Sequence, residues 1–139
     1  MLFDFRDPNT RRAAFLTLCL GARSGLAAAA WAHIEYAPVR WGLVALASIF
    51  CLGWLRLFLF RLRLDAPEAG AGGTWWHGLR PVHAALYAAF VILATRRSVR
   101  ERGYAWVPLG ADVVLALSAW LAHGRYRNAP PTTTTTKSV

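Results

Sequence analysis

Two ionisable side chains lie in the middle of long apolar stretches of this sequence. Arg23 is central to a run of roughly Ala13 to Ile34, and Asp112 is central to a run of roughly Tyr104 to Ala122. If both runs cross a bilayer, each charge alone costs about 2.5–3.5 kcal/mol on insertion scales. Opposite charges at one depth predict an ion pair between the first and last helices. The reading favoured by this pattern is a structural pair that fixes helix register. The alternative is an ion or proton pathway, although neither a TVGYG-like filter nor a ring of charges accompanies the pair.

The other chemistry-bearing residues do not assemble into a known catalytic pattern. A metal site needs several converging ligands. His33 and Glu35 are two apart and cannot share a helix face, His77 and His83 are separated by Pro81, and HExxH, HxxHH and CxxC do not occur. A P-loop, a G-x-S-x-G elbow and a dinucleotide fingerprint are also missing. No cofactor, metal or enzymatic activity is therefore expected. A third reading keeps a lipid-modifying enzyme open, with His83, Arg80 or His33 and Glu35 at headgroup level. Cys19 and Cys51 sit within apolar runs and read as small buried hydrophobes, with their redox state left open.

The elements that must position these residues follow from hydropathy. Four apolar runs, approximately 13–34, 41–60, 79–95 and 104–122, approach the ~17–25 residues needed to cross a hydrocarbon core of ~30 Å. The third is the shortest. The connection 35–40 (EYAPVR) contains Pro38, and the connection 96–103 (RRSVRERG) carries four arginines. Short connections imply antiparallel neighbours. The longer middle connection contains GAGG at Gly70 to Gly73, a flexible hinge. The predicted fold is all-α: an integral membrane bundle of four transmembrane helices arranged as two hairpins. Residues 1–12 form an N-terminal arm, with the apolar run after it a signal-anchor and not a cleavable leader. Residues 125–139 form a basic, Thr-rich disordered tail.

Composition narrows the class. Hydrophobic residues make up 56% of the 139, with a mean hydropathy of +0.33, which suits a membrane protein. The net charge of +9 would suggest nucleic acid in a soluble domain. Most of the basic residues flank apolar runs, however, which suits phospholipid headgroups, so no nucleic-acid partner is expected. Arg56, Arg61 and Arg63 form a basic cluster able to hold anionic lipid. Trp41, Trp75, Trp76, Trp106 and Trp120 stand at run boundaries, as an interfacial belt requires. The distribution of arginines weakly favours both termini on the cytosolic side.

Helical spacing predicts the packing faces. Ala105, Pro108, Ala116 and Ala119 share the side of Asp112, and Cys19, Ala27 and Ala30 share that of Arg23. Gly21 and Gly25 form a GxxxG on the opposite side of the first helix, followed by Ala29. Two protein-facing sides would place that helix centrally.

The most distinctive segment is Trp75 to Tyr87, WWHGLRPVHAALY. Trp75 and Trp76 belong at the interface, and Pro81 occupies a first turn where its missing N–H costs nothing. Arg80 is placed to meet phosphates or the carbonyl ends of a neighbouring helix. His83 can hydrogen-bond across helices, and Ala84, Ala85, Ala88 and Ala89 make a smooth packing surface. The segment resembles the WW-x-x-LRP-x-H-x-x-LY signature of a small multi-spanning membrane protein family of nucleocytoplasmic large DNA viruses. Arg23 in CLGARSGL and Asp112 in AWVPLGADVVLALSAWLAHG are similar to that family's pattern, and the likeness covers roughly residues 15–124. This chain departs from it in its alanine- and arginine-rich composition and in the four-arginine connection. The resemblance implies a viral membrane protein with no assigned reaction. It would act in structure or assembly, in the virion's internal membrane or in host-derived assembly membranes. The expected partners are the lipid bilayer, other membrane or capsid proteins, and a second copy of the chain.

Overall fold

Pro38 and Pro81 set where two of the helices begin. Each falls in a first helical turn, where the fixed φ suits the helix and the absent N–H has no intrahelical acceptor to lose. The computed structural model describes residues 15–62 and 76–127, and all regular structure among them is helical. A π-helical segment, Phe15–Leu20, runs into α1, Gly21–His33. Helix α2 is Ala37–Leu59. After a 3₁₀ turn, His77–Leu79, come α3, Arg80–Ala94, the short α4, Val99–Gly103, and α5, Trp106–Arg127.

Three stretches, Ala37–Leu59, His77–Ala94 and Val99–His123, are long and apolar enough to cross a membrane. The first expected span is helical, but its regular α-helix has only 13 residues, a rise of about 20 Å. It gains length only through the π segment. Helix α2 begins earlier than the expected 41, because Pro38 opens the helix and does not interrupt it. Helix α5 continues beyond the expected 122, so residues 125–127 belong to it and not to a tail. Arginine is a good helix former and the next breaker is Pro130. Residues 1–12 and 128–139, Trp75, Arg63 and the glycine hinge lie outside the described residues.

Each helix turns small residues and a few rings inward. Ala30, Ile34, Leu43, Ala47, Tyr87, Phe90, Ala94, Ala105 and Leu109 form one buried cluster. The most extensive interface joins α2 and α3, which are separated by the long connection. Helix α5 lies against both α1 and α3. Along α3, the buried positions Arg80, His83, Ala84, Tyr87, Phe90 and Ala94 recur every three or four residues and form one face. Ala84 is part of it, whereas the expected partner Ala85 faces outward. Phe50 of α2 meets the Tyr87 ring edge-on, with centroids 5.6 Å apart.

The outer surface is apolar. Leu18, Trp31, Ile49, Leu52, Leu59, Ile92 and Val114 are all more than half exposed. Charge inside and hydrocarbon outside reverses the usual arrangement of a water-soluble domain. Ser48 satisfies its hydroxyl by donating to the Val44 carbonyl one turn back, at 2.8 Å.

Among the described residues nothing packs on the expected GxxxG face. Gly21 and Gly25 are exposed. A Cβ added at Gly25 meets nothing within 4 Å, and one at Gly21 meets only the Leu16 carbonyl of its own helical segment, at 3.7 Å. The reason is that α1 presents the Arg23–Ala30 side to the bundle, which turns the glycines outward; α1 is thus peripheral, not central. Gly25→Ala should raise thermal stability in detergent by about 0.5–1 kcal/mol, the ordinary helix-propensity gain. A destabilised variant would show that the glycine face is packed after all.

Candidate functional site: a buried charge cluster

Arg23 and Asp112 meet, as their positions predict. Arg23 NH1 donates to Asp112 Oδ2 at 2.9 Å, and the two side chains are 9% and 1% exposed. Small residues allow this approach. Ala105, Pro108 and Ala116 are buried beside Asp112, and Ala30 is buried below Arg23. A charge this deep is tolerated only when paired and hydrogen-bonded.

The pair has further partners, from the other two long helices. His83 of α3 contacts Asp112 Oδ1 through Nδ1. A carboxylate can only accept, so Nδ1–H donates to it. Arg23 NH1 lies 3.2 Å from the same nitrogen, which cannot donate to Asp112 and accept from Arg23 at once. The Arg23–His83 approach is therefore not a second hydrogen bond; both groups are held there by donating to the same carboxylate. Trp54 of α2 covers both groups. The Arg23 guanidinium carbon is 5.3 Å from the indole centroid, and the His83 ring is 5.2 Å away at 31°. Buried Tyr87 adjoins the Asp112 carboxylate. With Asp112 offsetting Arg23, the cluster has no net charge when His83 is neutral.

The expected pair thus becomes a cluster fed by four helices. Trp54, Tyr87 and the engagement of His83 were not anticipated as parts of it. The signals were present. Trp54 lies within an apolar run, away from the boundaries where belt tryptophans stand. Arg80, His83 and Tyr87 are spaced i, i+3, i+7 and so share one helix face.

Arg80 closes a second contact about one turn away, and it selects the carbonyl alternative over phosphate. It is 2% exposed. Its NH1 donates to the carbonyls of Leu57 at 2.9 Å and Leu62 at 2.7 Å, and it lies 3.1 Å from His77 Nδ1. His77 in turn stacks on Phe58, with centroids 5.2 Å apart. These carbonyls belong to the end of α2, where Arg61 N–H donates to Phe58 O and Leu62 N–H to Leu57 O. That is a Schellman closure with Arg61 in the left-handed region, at φ 49°. Arg80 therefore caps the C-terminus of α2 from α3. His83 bonds instead to Asp112. Arg56 and Arg61, expected to meet lipid headgroups, are exposed, and Trp76 is half-buried. Cys19 and Cys51 are free thiols.

At the opposite end Arg102 binds Glu35, with NH2 donating to Oε2 at 2.7 Å. The hydrogen bond from Arg102 holds the Glu35 carboxyl below its usual range, with the charges of Arg102 and Arg40 adding to it. No family model, curated protein or solved structure matches the chain.

Three outcomes follow. Asp112→Asn leaves Arg23 buried beside a neutral amide and should cost about 3–5 kcal/mol in detergent unfolding. Arg23→Met combined with Asp112→Leu should recover most of that loss; a double variant as unstable as the single one would refute the pairing. Arg80→Met strips charged donors from two carbonyls and should cost about 1.5–3 kcal/mol. Because the Glu35 pKa is lowered by folding, the Glu35 contribution is present above the unfolded value of 4.5 and fades as pH falls through the lower folded value. Wild type should lose this increment below pH 4.5 and Glu35→Gln should lack it, as read by thermal unfolding across pH 3–6.

Proposed function

We propose that this protein is a structural membrane protein, a four-span bundle that helps build the internal membrane of a large DNA virus or the host-derived membranes used in its assembly. The observation that carries the structural role is the closed bonding of the Arg23–Asp112–His83 cluster, which ties three long helices together under the Trp54 ring of the fourth. Embedding is supported by the three membrane-length apolar helices and the apolar outer surface. The viral assignment rests on the WWHGLRPVHAALY resemblance. In this reading the π segment extends α1 into the fourth span, and both termini face the cytosol. Arg56 and Arg61 meet anionic headgroups at that surface.

The competing reading is a proton or ion conductor. The direct His83–Asp112 contact beside Tyr87 favours it, since titratable groups in sequence can relay protons. The two separate cleanly. A structural protein resists carbonate extraction, co-fractionates with virion or assembly membranes, and gives proteoliposomes no flux above empty vesicles. Absence from both membrane fractions would overturn the assembly role. A flux abolished by Asp112→Asn would replace it with transport.

A further inference from the structure

The α3–α5 connection holds charged side chains that the bundle does not use. Arg102 is fully committed. Besides Glu35, its NH1 donates to the carbonyls of Arg96 at 3.0 Å and Arg97 at 2.8 Å. Ser98 caps α4 through the Glu101 N–H. These bonds pin the backbone of the connection onto Arg102. What remains is an open groove of about 610 Å³, lined by Ile92, Thr95, Arg96, Arg97, Ser98 and Glu101. The side chains of Arg96, Arg97 and Glu101 are exposed, and among the described residues none of them makes an ion pair or a side-chain hydrogen bond.

The groove therefore offers two cations and one anion side by side, above an exposed isoleucine. This end of the bundle also carries an aromatic belt. Tyr36, Trp41 and Tyr104 are more than half exposed and Trp106 more than a third, and the Arg40 guanidinium lies 5.9 Å from the Trp41 ring centroid. Such rings sit at headgroup level, so a ligand reaching the groove from the bilayer brings its phosphate to the arginines and its chains to Ile92.

We propose that this groove binds the headgroup of an aminophospholipid, phosphate on Arg96 and Arg97 and primary ammonium on Glu101. Guanidinium forks match phosphate oxygens. The carboxylate distinguishes this from a plain basic patch. It accepts hydrogen bonds from a primary ammonium, receives none from the trimethylated ammonium of phosphatidylcholine, and repels a purely anionic headgroup. Phosphatidylserine adds a carboxylate that the second arginine can take. The inference rests on the membrane-spanning reading above.

The test uses the full chain in nanodiscs of phosphatidylcholine containing 10 mol% phosphatidylethanolamine, phosphatidylserine or phosphatidylglycerol, with retained lipid counted by native mass spectrometry. Wild type should retain either aminophospholipid about three- to fivefold over phosphatidylglycerol, the range expected from one partly exposed charge pair. Glu101→Gln should erase that preference while still retaining phosphatidylglycerol. Arg96→Gln with Arg97→Gln should lower retention of all three. These side chains are exposed, so unchanged thermal unfolding is the control for folding. Equal or greater retention of phosphatidylglycerol by wild type, or no effect of Glu101→Gln, overturns the proposal. Displacement by water-soluble O-phosphoethanolamine as readily as by lipid overturns the lipid source. Recovery of the protein in the aqueous phase without detergent instead sinks the membrane reading beneath it.

Discussion

A guanidinium held away from water must be answered by an anion within bonding distance, and Arg23 imposes that requirement on the whole bundle. The answering carboxylate, Asp112, lies 89 residues later. Bringing the two together fixes how α1 packs against α5. Because the carboxylate has a second oxygen to satisfy, His83 is drawn in from α3, and the exposed faces of both cationic and imidazole groups are closed by Trp54 from α2. Small residues follow from the same need: Ala30, Ala105 and Ala116 let the backbones come near enough for a 2.9 Å contact.

Arg80 extends this logic along α3. It lies one turn from His83 on the same face, and it donates to the carbonyls of Leu57, in the last turn of α2, and Leu62, just past its end. The two contacts make a polar column inside an otherwise apolar interface. Arg80 ties α3 to the end of α2, and His83 ties it to α5. This also gives the WWHGLRPVHAALY segment a physical content. Its Pro81 starts the helix, and its Arg80, His83 and Tyr87 supply the inward face.

The sequence made the helical class and the Arg23–Asp112 pair legible, because a charge inside an apolar run has few stable solutions. The buried sides around both residues were legible for the same reason: Ala30, Ala105, Pro108 and Ala116 fall where 3.6-residue spacing puts them. The glycine pair misled, since GxxxG reports only that close approach is allowed and not that a neighbour takes it. Within one chain, Gly21 and Gly25 point outward once Arg23 points inward. Pro38 was read as part of a turn and proved to open α2, since a first-turn proline and a loop proline look alike in one sequence. The Glu35–Arg102 clamp was invisible, because four arginines competed for the carboxylate and only the fold selects among them.

The energetics of the cluster argue for a clamp over a conduit. Moving an ion or proton through it requires parting Arg23 from Asp112 in each cycle, and an uncompensated buried charge costs about 3–5 kcal/mol. At 1.4 kcal/mol per tenfold, a state of that cost is populated at roughly 0.03–0.7%. A group of charges that sums to zero, bonds internally across three helices and is covered by a ring from the fourth is stable as it stands. Its hydrogen bonds close on one another between α1, α3 and α5, and the charged side chains of Arg96, Arg97 and Glu101 that the bundle leaves exposed lie at one of its ends, not at its centre.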